Sequence, residues 1–297
     1  MKRRIIAALA ATGLAVTMAV GLAPAAQAEP TWGSPYVAIG DSVAAGTGNL
    51  PYVDEDCRRS EKAYPNVLAA MQGADVVSTA CAGSPTHVVA AQAQALAGQG
   101  VLGPATQLVT ITAGVNDLPW ILVLGACSNQ GSPDLCEQLL SMPGAGGSIV
   151  PGIATIIGTV RVAAPTAQIV VTGYPYPFGN FSGTCSIGVS SPGKPLKFSS
   201  DGAHAINGAV TGLNGAIQGG IGVYQTQFAA TVGQGFPDPG VHYVDVTGSF
   251  MTHGFCDTGD RWMGGPVPNG PASDRGFHPN VAGQQGYAAA IAAELMP

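Results

Sequence analysis

Tyr36-Val37-Ala38-Ile39-Gly40-Asp41-Ser42 is a short apolar run that ends on a glycine and delivers two polar residues immediately after it. Four consecutive apolar residues without polar alternation suit a strand buried on both faces, as in a parallel sheet covered by helices. Asp41 and Ser42 then fall at the carboxyl end of that strand, at the turn into the next element.

Outward from this run the pattern repeats. Residues 75–78, 108–112, 168–172 and 241–246 are similar short runs, and helical stretches lie between them at about 60–71, 85–97, 148–162, 204–232 and 281–295. Strands alternating with helices predict βαβ units, and therefore an α/β protein with a central five-stranded parallel sheet. Gly208, Gly212 and Gly215 count against the fourth helix, since each costs about 1 kcal/mol relative to Ala in a helix interior. Residues 117–147, 173–200 and 247–277 read as long irregular stretches. Each begins just past the carboxyl end of a strand, where open parallel sheets form their ligand crevice.

The amino terminus is an address and not part of the fold. Lys2, Arg3 and Arg4 precede an apolar run over 5–22, and Ala26-Gln27-Ala28 supplies the small-x-small cleavage site of a secretory signal peptide. A membrane anchor is the competing reading, because the run approaches the roughly 17 to 25 residues of a bilayer span. Pro24 and the cleavage site that follows at once favour removal after Ala28, which leaves residues 29–297 as one secreted domain. That portion holds all 17 acidic residues and 8 of the 11 Lys and Arg, a formal charge of −9. A nucleic acid partner is excluded, since no basic stripe exists to neutralise phosphates; a monomer is expected.

Six cysteines follow the cleavage site: Cys57, Cys81, Cys127, Cys136, Cys185 and Cys256. An even number in an exported chain predicts three disulfides, for which fifteen pairings are open. Pairing in chain order is the simplest of them. A zinc site is the weaker alternative, because no CxxC pair is present and no His lies near two cysteines.

The chemistry sits at the predicted strand ends. Ser42 at a strand-to-helix turn presents a hydroxyl able to attack a carbonyl. Gly83, in Ala82-Gly83-Ser84, and Asn116, in Gly114-Val115-Asn116-Asp117, follow the next two strands and could donate a backbone N–H and a side-chain amide to an oxyanion. Asp117 is expected to fix the Asn116 turn. Phe277-His278-Pro279-Asn280 precedes the last helix, which Asn280 could cap, and it holds His278 where it could act as general base. His87, His204, His242 and His253 lack such a setting. The G-x-S-x-G elbow of the α/β-hydrolases is absent.

Together, Gly40-Asp41-Ser42, Gly83, Gly114-x-Asn116-Asp117 and His278-Pro279-Asn280 resemble the four ordered blocks of the SGNH (GDSL) hydrolase family. The resemblance implies a flavodoxin-like three-layer α/β/α sandwich, with Ser42 as nucleophile, Gly83 and Asn116 as oxyanion donors and His278 as base, and it needs neither cofactor nor metal. With three disulfides the chain is similar to secreted bacterial lipases, phospholipases and esterases. It departs from the family at Arg275, which stands three residues before the histidine where an Asp is usual. Either Asp274 reaches the imidazole through a shifted turn, or a main-chain carbonyl near Arg275 orients it, as in dyad members of the family.

Carboxylic esters of lipid type are therefore the expected substrates. The apolar run 118–124, directly after the oxyanion block, is read as bordering an acyl-chain site or making transient contact with a lipid surface. A carbohydrate or cell-wall O-acetylesterase is the rival enzyme, with Trp32, Tyr174, Tyr176 and Trp262 available to stack on sugar rings. A secreted binding protein without turnover is the rival outside enzymes.

Overall fold

The structure, a computed structural model, describes residues 34–141, 146–190, 193–270 and 273–295. The signal-peptide reading and Trp32 lie outside the described residues. In chain order the elements are β1 (Tyr36–Gly40), α1 (Ser42–Ala45), β2 (Tyr52–Asp54), β3 (Arg59–Ser60), α2 (Tyr64–Gln72), β4 (Val76–Ser78) and α3 (Thr86–Gly98). Then come β5 (Leu108–Thr112), a 3-10 turn (Val115–Asp117), α4 (Trp120–Ala126), α5 (Pro133–Leu140), α6 (Ile149–Ala163) and β6 (Gln168–Thr172). The rest are β7 (Thr184–Ser190), β8 (Lys194–Ser199), α7 (Ser200–Thr231), β9 (Val241–Val244), α8 (Thr247–Phe250), a 3-10 turn (Ser273–Arg275) and α9 (Val281–Leu295).

Parallel pairing orders the central sheet β4-β1-β5-β6-β9. By chain order among these five strands this is second, first, third, fourth, fifth, the flavodoxin-like winding. Its direction reverses between β1 and β5, and at such a switch point the crevice opens at the carboxyl ends of the strands. Helices α3, α6 and α7 pack side by side as one layer, and α2 and α9 pair as the other. The expected five-stranded α/β/α sandwich is the observed one.

Burial explains why the apolar runs became strands. All five residues of β1 and of β5 are buried, as are the last four of β6. Each large aliphatic side chain in them gains about 1.5–3 kcal/mol over exposure. Polar atoms inside this core are paired: Tyr36 with Thr110 at 3.0 Å, Tyr64 with Thr112 at 2.9 Å, and Thr112 with Thr172 at 2.7 Å. The rings of Tyr64 and Tyr287 stack with centroids 5.4 Å apart, and the Tyr287 hydroxyl donates to the Gly173 carbonyl. The core is thus apolar in bulk, and most of its polar groups are hydrogen-bonded, as burial demands; the Thr79 and Tyr243 hydroxyls are buried without a partner.

The stretches expected to be irregular contain structure. Residues 117–147 hold α4, whose apolar residues run on without a helical period, and the short amphipathic α5. Ser132, whose hydroxyl accepts from Leu135 N, and Pro133 start α5 as a cap and first-turn proline should. Residues 173–200 hold the antiparallel hairpin β7–β8. Helix α2 begins at Tyr64 and not at 60, because Arg59–Ser60 pairs with β2, and β9 stops at Val244, two residues short of expectation. The six cysteines pair in chain order, Cys57–Cys81, Cys127–Cys136 and Cys185–Cys256.

Candidate active site

Gly40 closes β1 with φ +151°, and a Cβ there would stand 2.5 Å from the Thr112 carbonyl oxygen of β5. Only glycine therefore lets β1 turn this close to its neighbour. Its N–H donates to Gln92 Oε1 at 2.9 Å and its carbonyl accepts from Gln92 Nε2 at 3.0 Å, so a side chain of α3 clamps the turn. Asp41 caps α1 by accepting from Val43 N at 2.9 Å, and Ser42 is the first residue of that helix.

The Asp41 carboxyl is fully buried, and its other oxygen accepts from the Tyr174 hydroxyl. Burial pushes this acid up to about 7 against the pull of the two donors. The same tyrosine oxygen accepts from Val115 N at 3.3 Å. Tyr174 thus bridges the serine turn and the asparagine turn.

Gly83 sits after β4 in the left-handed region, φ +79°. Its turn is anchored by the Cys57–Cys81 disulfide and by Ala82 N donating to the Cys57 carbonyl at 3.0 Å. Asn116 Nδ2 donates one hydrogen to the Ser84 carbonyl at 3.2 Å, and the amide keeps a second hydrogen for a ligand. Asp117 accepts from Thr86 N, Thr86 Oγ1 and Ser148 Oγ at 2.9, 2.7 and 2.9 Å, which ties the Asn116 turn to the starts of α3 and α6. This is the fixing role expected of it.

His278 follows Phe277, a bulky residue in the left-handed region at φ +62°. Such a backbone costs of order 1–3 kcal/mol and persists only where surroundings over-determine it. Here the Phe277 ring packs with Phe178, Phe198 and Phe255, and its N–H donates to the Gly264 carbonyl at 3.0 Å. Asn280 caps α9, its Oδ1 accepting from Gly283 N at 3.1 Å. Asn49 Nδ2 donates to both Gly46 and Pro279 carbonyls, which joins the serine loop to the histidine loop.

Desolvation lowers the His278 pKa from its ordinary 6.5. Opposing it, the main-chain carbonyls of Asp274 and Gly276 and the Asp274 charge favour the protonated ring. Nδ1 is buried without a partner at full hydrogen-bond geometry. The Asp274 carboxylate is engaged elsewhere, with Arg58 Nε 3.3 Å from Oδ2, while its Oδ1 is also unpartnered.

Ser42, Gly83, Asn116 and His278 all line one cavity of about 360 Å³. Much of its remaining wall is apolar, with Val115, Trp120, Ile121, Leu124, Leu213 and Met263. The other four histidines line none of it. Of the aromatics read as sugar-stacking, Tyr174 lines the cavity with its hydroxyl bonded to Asp41, the Tyr176 hydroxyl pairs with Thr211, and Trp262 stacks on His253 at 3.9 Å. Gln92, Asn49 and Arg58 escaped the sequence reading, because nothing local marks a surface-type residue that will reach a distant turn.

Residues 38–285 match the sequence profile of the GDSL-like lipase/acylhydrolase family. The chain belongs to this family. As a serine ester hydrolase of lipase type, it is 32% identical over 281 residues to Lipase 1 of Streptomyces coelicolor, covering 93% of this chain and 91% of that one. It is 29% identical to a lipase of Streptomyces rimosus, over 94% of this chain and 95% of that one. The crystal structure of a phospholipase A1 from Streptomyces albidoflavus superposes on this GDSL-like hydrolase with a TM-score of 0.69 at 29% identity, covering 88% of this chain and 99% of that one. The extracellular lipase of S. rimosus gives 0.67 at 26% identity, covering 87% and 98%.

Proposed function

We propose that this GDSL-like hydrolase is exported by a signal peptide removed after Ala28. Residues 29–297 then form one domain that cleaves carboxylic esters of lipids through an acyl-enzyme on Ser42. The observation that carries the reading is the single cavity in which a serine, an imidazole and two neutral donors meet beside an apolar wall. The likeness to curated lipases and to an extracellular lipase supports it.

In the first step Ser42 Oγ attacks the ester carbonyl while His278 takes its proton. The carbonyl oxygen becomes an oxyanion, which the Gly83 N–H and the free Asn116 amide hydrogen stabilise; one such donor is worth about 10²–10³ in kcat. His278 returns the proton to the leaving alcohol, and water repeats the sequence to release the acid. In place of a carboxylate third member, a main-chain carbonyl near Arg275 orients the ring; the carbonyls of Asp274 and Gly276 beside it support this reading. The Asp274 carboxylate is paired with Arg58, and its charge favours the protonated ring.

Neutral imidazole is the working form, and its pKa is lowered. The acid limb of kcat/KM is therefore expected to have its midpoint below 6.5, with activity rising as pH rises through it. The deciding experiment is hydrolysis of p-nitrophenyl esters from acetyl to palmitoyl by the wild type and Ser42→Ala. Activity that favours medium or long chains and disappears in the variant is expected. A strict preference for acetyl would overturn the lipid reading in favour of an O-acetylesterase, and absence of fluorophosphonate labelling at Ser42 would overturn catalysis altogether.

A further inference from the structure

Just past the end of β6, Tyr174 sends its hydroxyl to both turns that carry the reacting groups. It donates to Asp41 Oδ2 and accepts from Val115 N at 3.3 Å. Asp41 immediately precedes Ser42, and Val115 immediately precedes Asn116. One oxygen atom is therefore bonded next door to the nucleophile and next door to an oxyanion donor. Burial, and then the Asp41 charge, hold this phenol well above its ordinary 10, so it keeps its hydrogen across the working pH range.

The tyrosine is itself held. Its N–H donates to Asn214 Oδ1 at 2.8 Å and its carbonyl accepts from Asn214 Nδ2 at 2.9 Å, so one buried amide of α7 grips its backbone twice. Gly173 leaves room for that grip. A Cβ there would stand 2.4 Å from the Tyr243 hydroxyl and 3.0 Å from Asn214 Oδ1.

The other ties on the asparagine turn lead elsewhere. The β1–β5 ladder ends where Asp41 N donates to the Thr112 carbonyl at 3.0 Å, and Gly114, at φ +134°, then takes the chain out of the strand. Asp117 binds the turn that follows to the starts of α3 and α6, and Asn116 Nδ2 binds it to the Ser84 carbonyl. Beyond the ladder, the Tyr174 hydroxyl is the hydrogen-bonded link between this turn and the serine turn among the described residues. That link bears on the chemistry, because the Asn116 amide must meet an oxyanion that exists only once Ser42 Oγ has attacked.

We propose that Tyr174 is a positioning residue for ester hydrolysis: its hydroxyl, anchored through Asn214, fixes the Asn116 oxyanion donor relative to Ser42. The hydroxyl acts through these neighbours, since its one hydrogen is spent on Asp41 and its oxygen takes the Val115 N–H. The proposal rests on the ester-hydrolase reading above and adds to it a residue outside the four blocks. Misplacing a reacting group by about 1 Å can cost about 10²-fold in rate, so the tie bears on kcat.

The test is a double-mutant cycle on p-nitrophenyl butyrate with the wild type, Tyr174→Phe, Asn116→Ala and the double variant, active enzyme being counted by fluorophosphonate titration of Ser42. Tyr174→Phe is expected to lower kcat per active site by about tenfold or more with KM unchanged, as a displaced donor implies. In the Asn116→Ala background the same change should cost less than about twofold, because no donor is left to position. An equal loss in both backgrounds, the mark of a purely structural tyrosine, overturns the proposal, as does an unchanged kcat in Tyr174→Phe. If Tyr174→Phe does not fold, Asn214→Ser takes its place in the cycle, since it loosens the grip and keeps the hydroxyl. Its loss should likewise vanish in the Asn116→Ala background, and a loss that persists there overturns the proposal. A wild type that neither hydrolyses the ester nor takes the label would bring down the ester-hydrolase reading itself, a failure distinct from an additive cycle.

Discussion

Asp41 and Asp274 are the two acids beside the proposed nucleophile and base, and the structure places them in different settings. Asp41 is buried with two donors on its carboxyl, and burial still raises its pKa from 3.8 to about 7. The folded protein thus holds this proton more tightly than the unfolded chain does. The stability that the neutral form contributes is complete below about pH 4 and is lost as pH rises towards 7. Asp41→Asn cannot ionise, so its unfolding free energy, measured in urea between pH 4.5 and 7.5, should fall less steeply with pH than that of the wild type. An identical slope would show that Asp41 does not titrate there. Asp274, by contrast, is ion-paired to Arg58, and the ring is faced by main-chain carbonyls. Asp274→Asn should therefore lower kcat by no more than about tenfold, far from the ≈10⁴ lost when a true triad Asp is replaced. A loss of the larger size would make Asp274 the third member after all. Of these site residues, Ser42, Gly83, Asn116 and His278 were legible because each sits in a short block at a predicted strand or helix end. Tyr174 was legible only as an aromatic, since its bond to Asp41 spans 133 residues of chain.

Helix α7 shows how a local rule fails and why. Its glycines argued against a helix, yet it runs for 32 residues. At Gly220 a Cβ would meet Ile153 Cβ at 2.6 Å and the Val150 carbonyl at 2.7 Å, so the glycine is what lets α6 and α7 touch. Gly215 faces open space. Opposite signs follow for the same substitution in one helix. Gly215→Ala should stabilise by up to about 1 kcal/mol through helix propensity. Gly220→Ala should destabilise by about 1–3 kcal/mol, because backbone must move and overpacking outweighs propensity. Chemical denaturation of the two variants checks this, and equal effects would refute it. Helices α4 and α5 and the β7–β8 hairpin went unread for a related reason. They are short, and they are held by packing and disulfides that no window of sequence contains.

For the molecule as a whole, covalent ties reinforce the loops that carry the site. Cys185–Cys256 joins the β7–β8 hairpin to the stretch after α8 across 71 residues, whereas Cys127–Cys136 spans 9. Loop-closure entropy makes the long tie worth roughly 4 kcal/mol and the short one roughly 3. Replacing the pair Cys185 and Cys256 by Ala should thus lower Tm more than replacing Cys127 and Cys136, as calorimetry would read. The reverse order would mean that native-state strain, not chain entropy, governs. By itself the sequence determined the sheet and the four blocks of the site, because buried parallel strands and their terminal turns are written in contiguous apolar runs and the polar residues that follow them. Only the tertiary structure decided how those blocks are held: the Gln92 clamp, the Tyr174 bridge and the pairing of Asp274 with Arg58. Those contacts join residues far apart in the chain, and their energies depend on distances and burial that exist only once the chain has closed on itself.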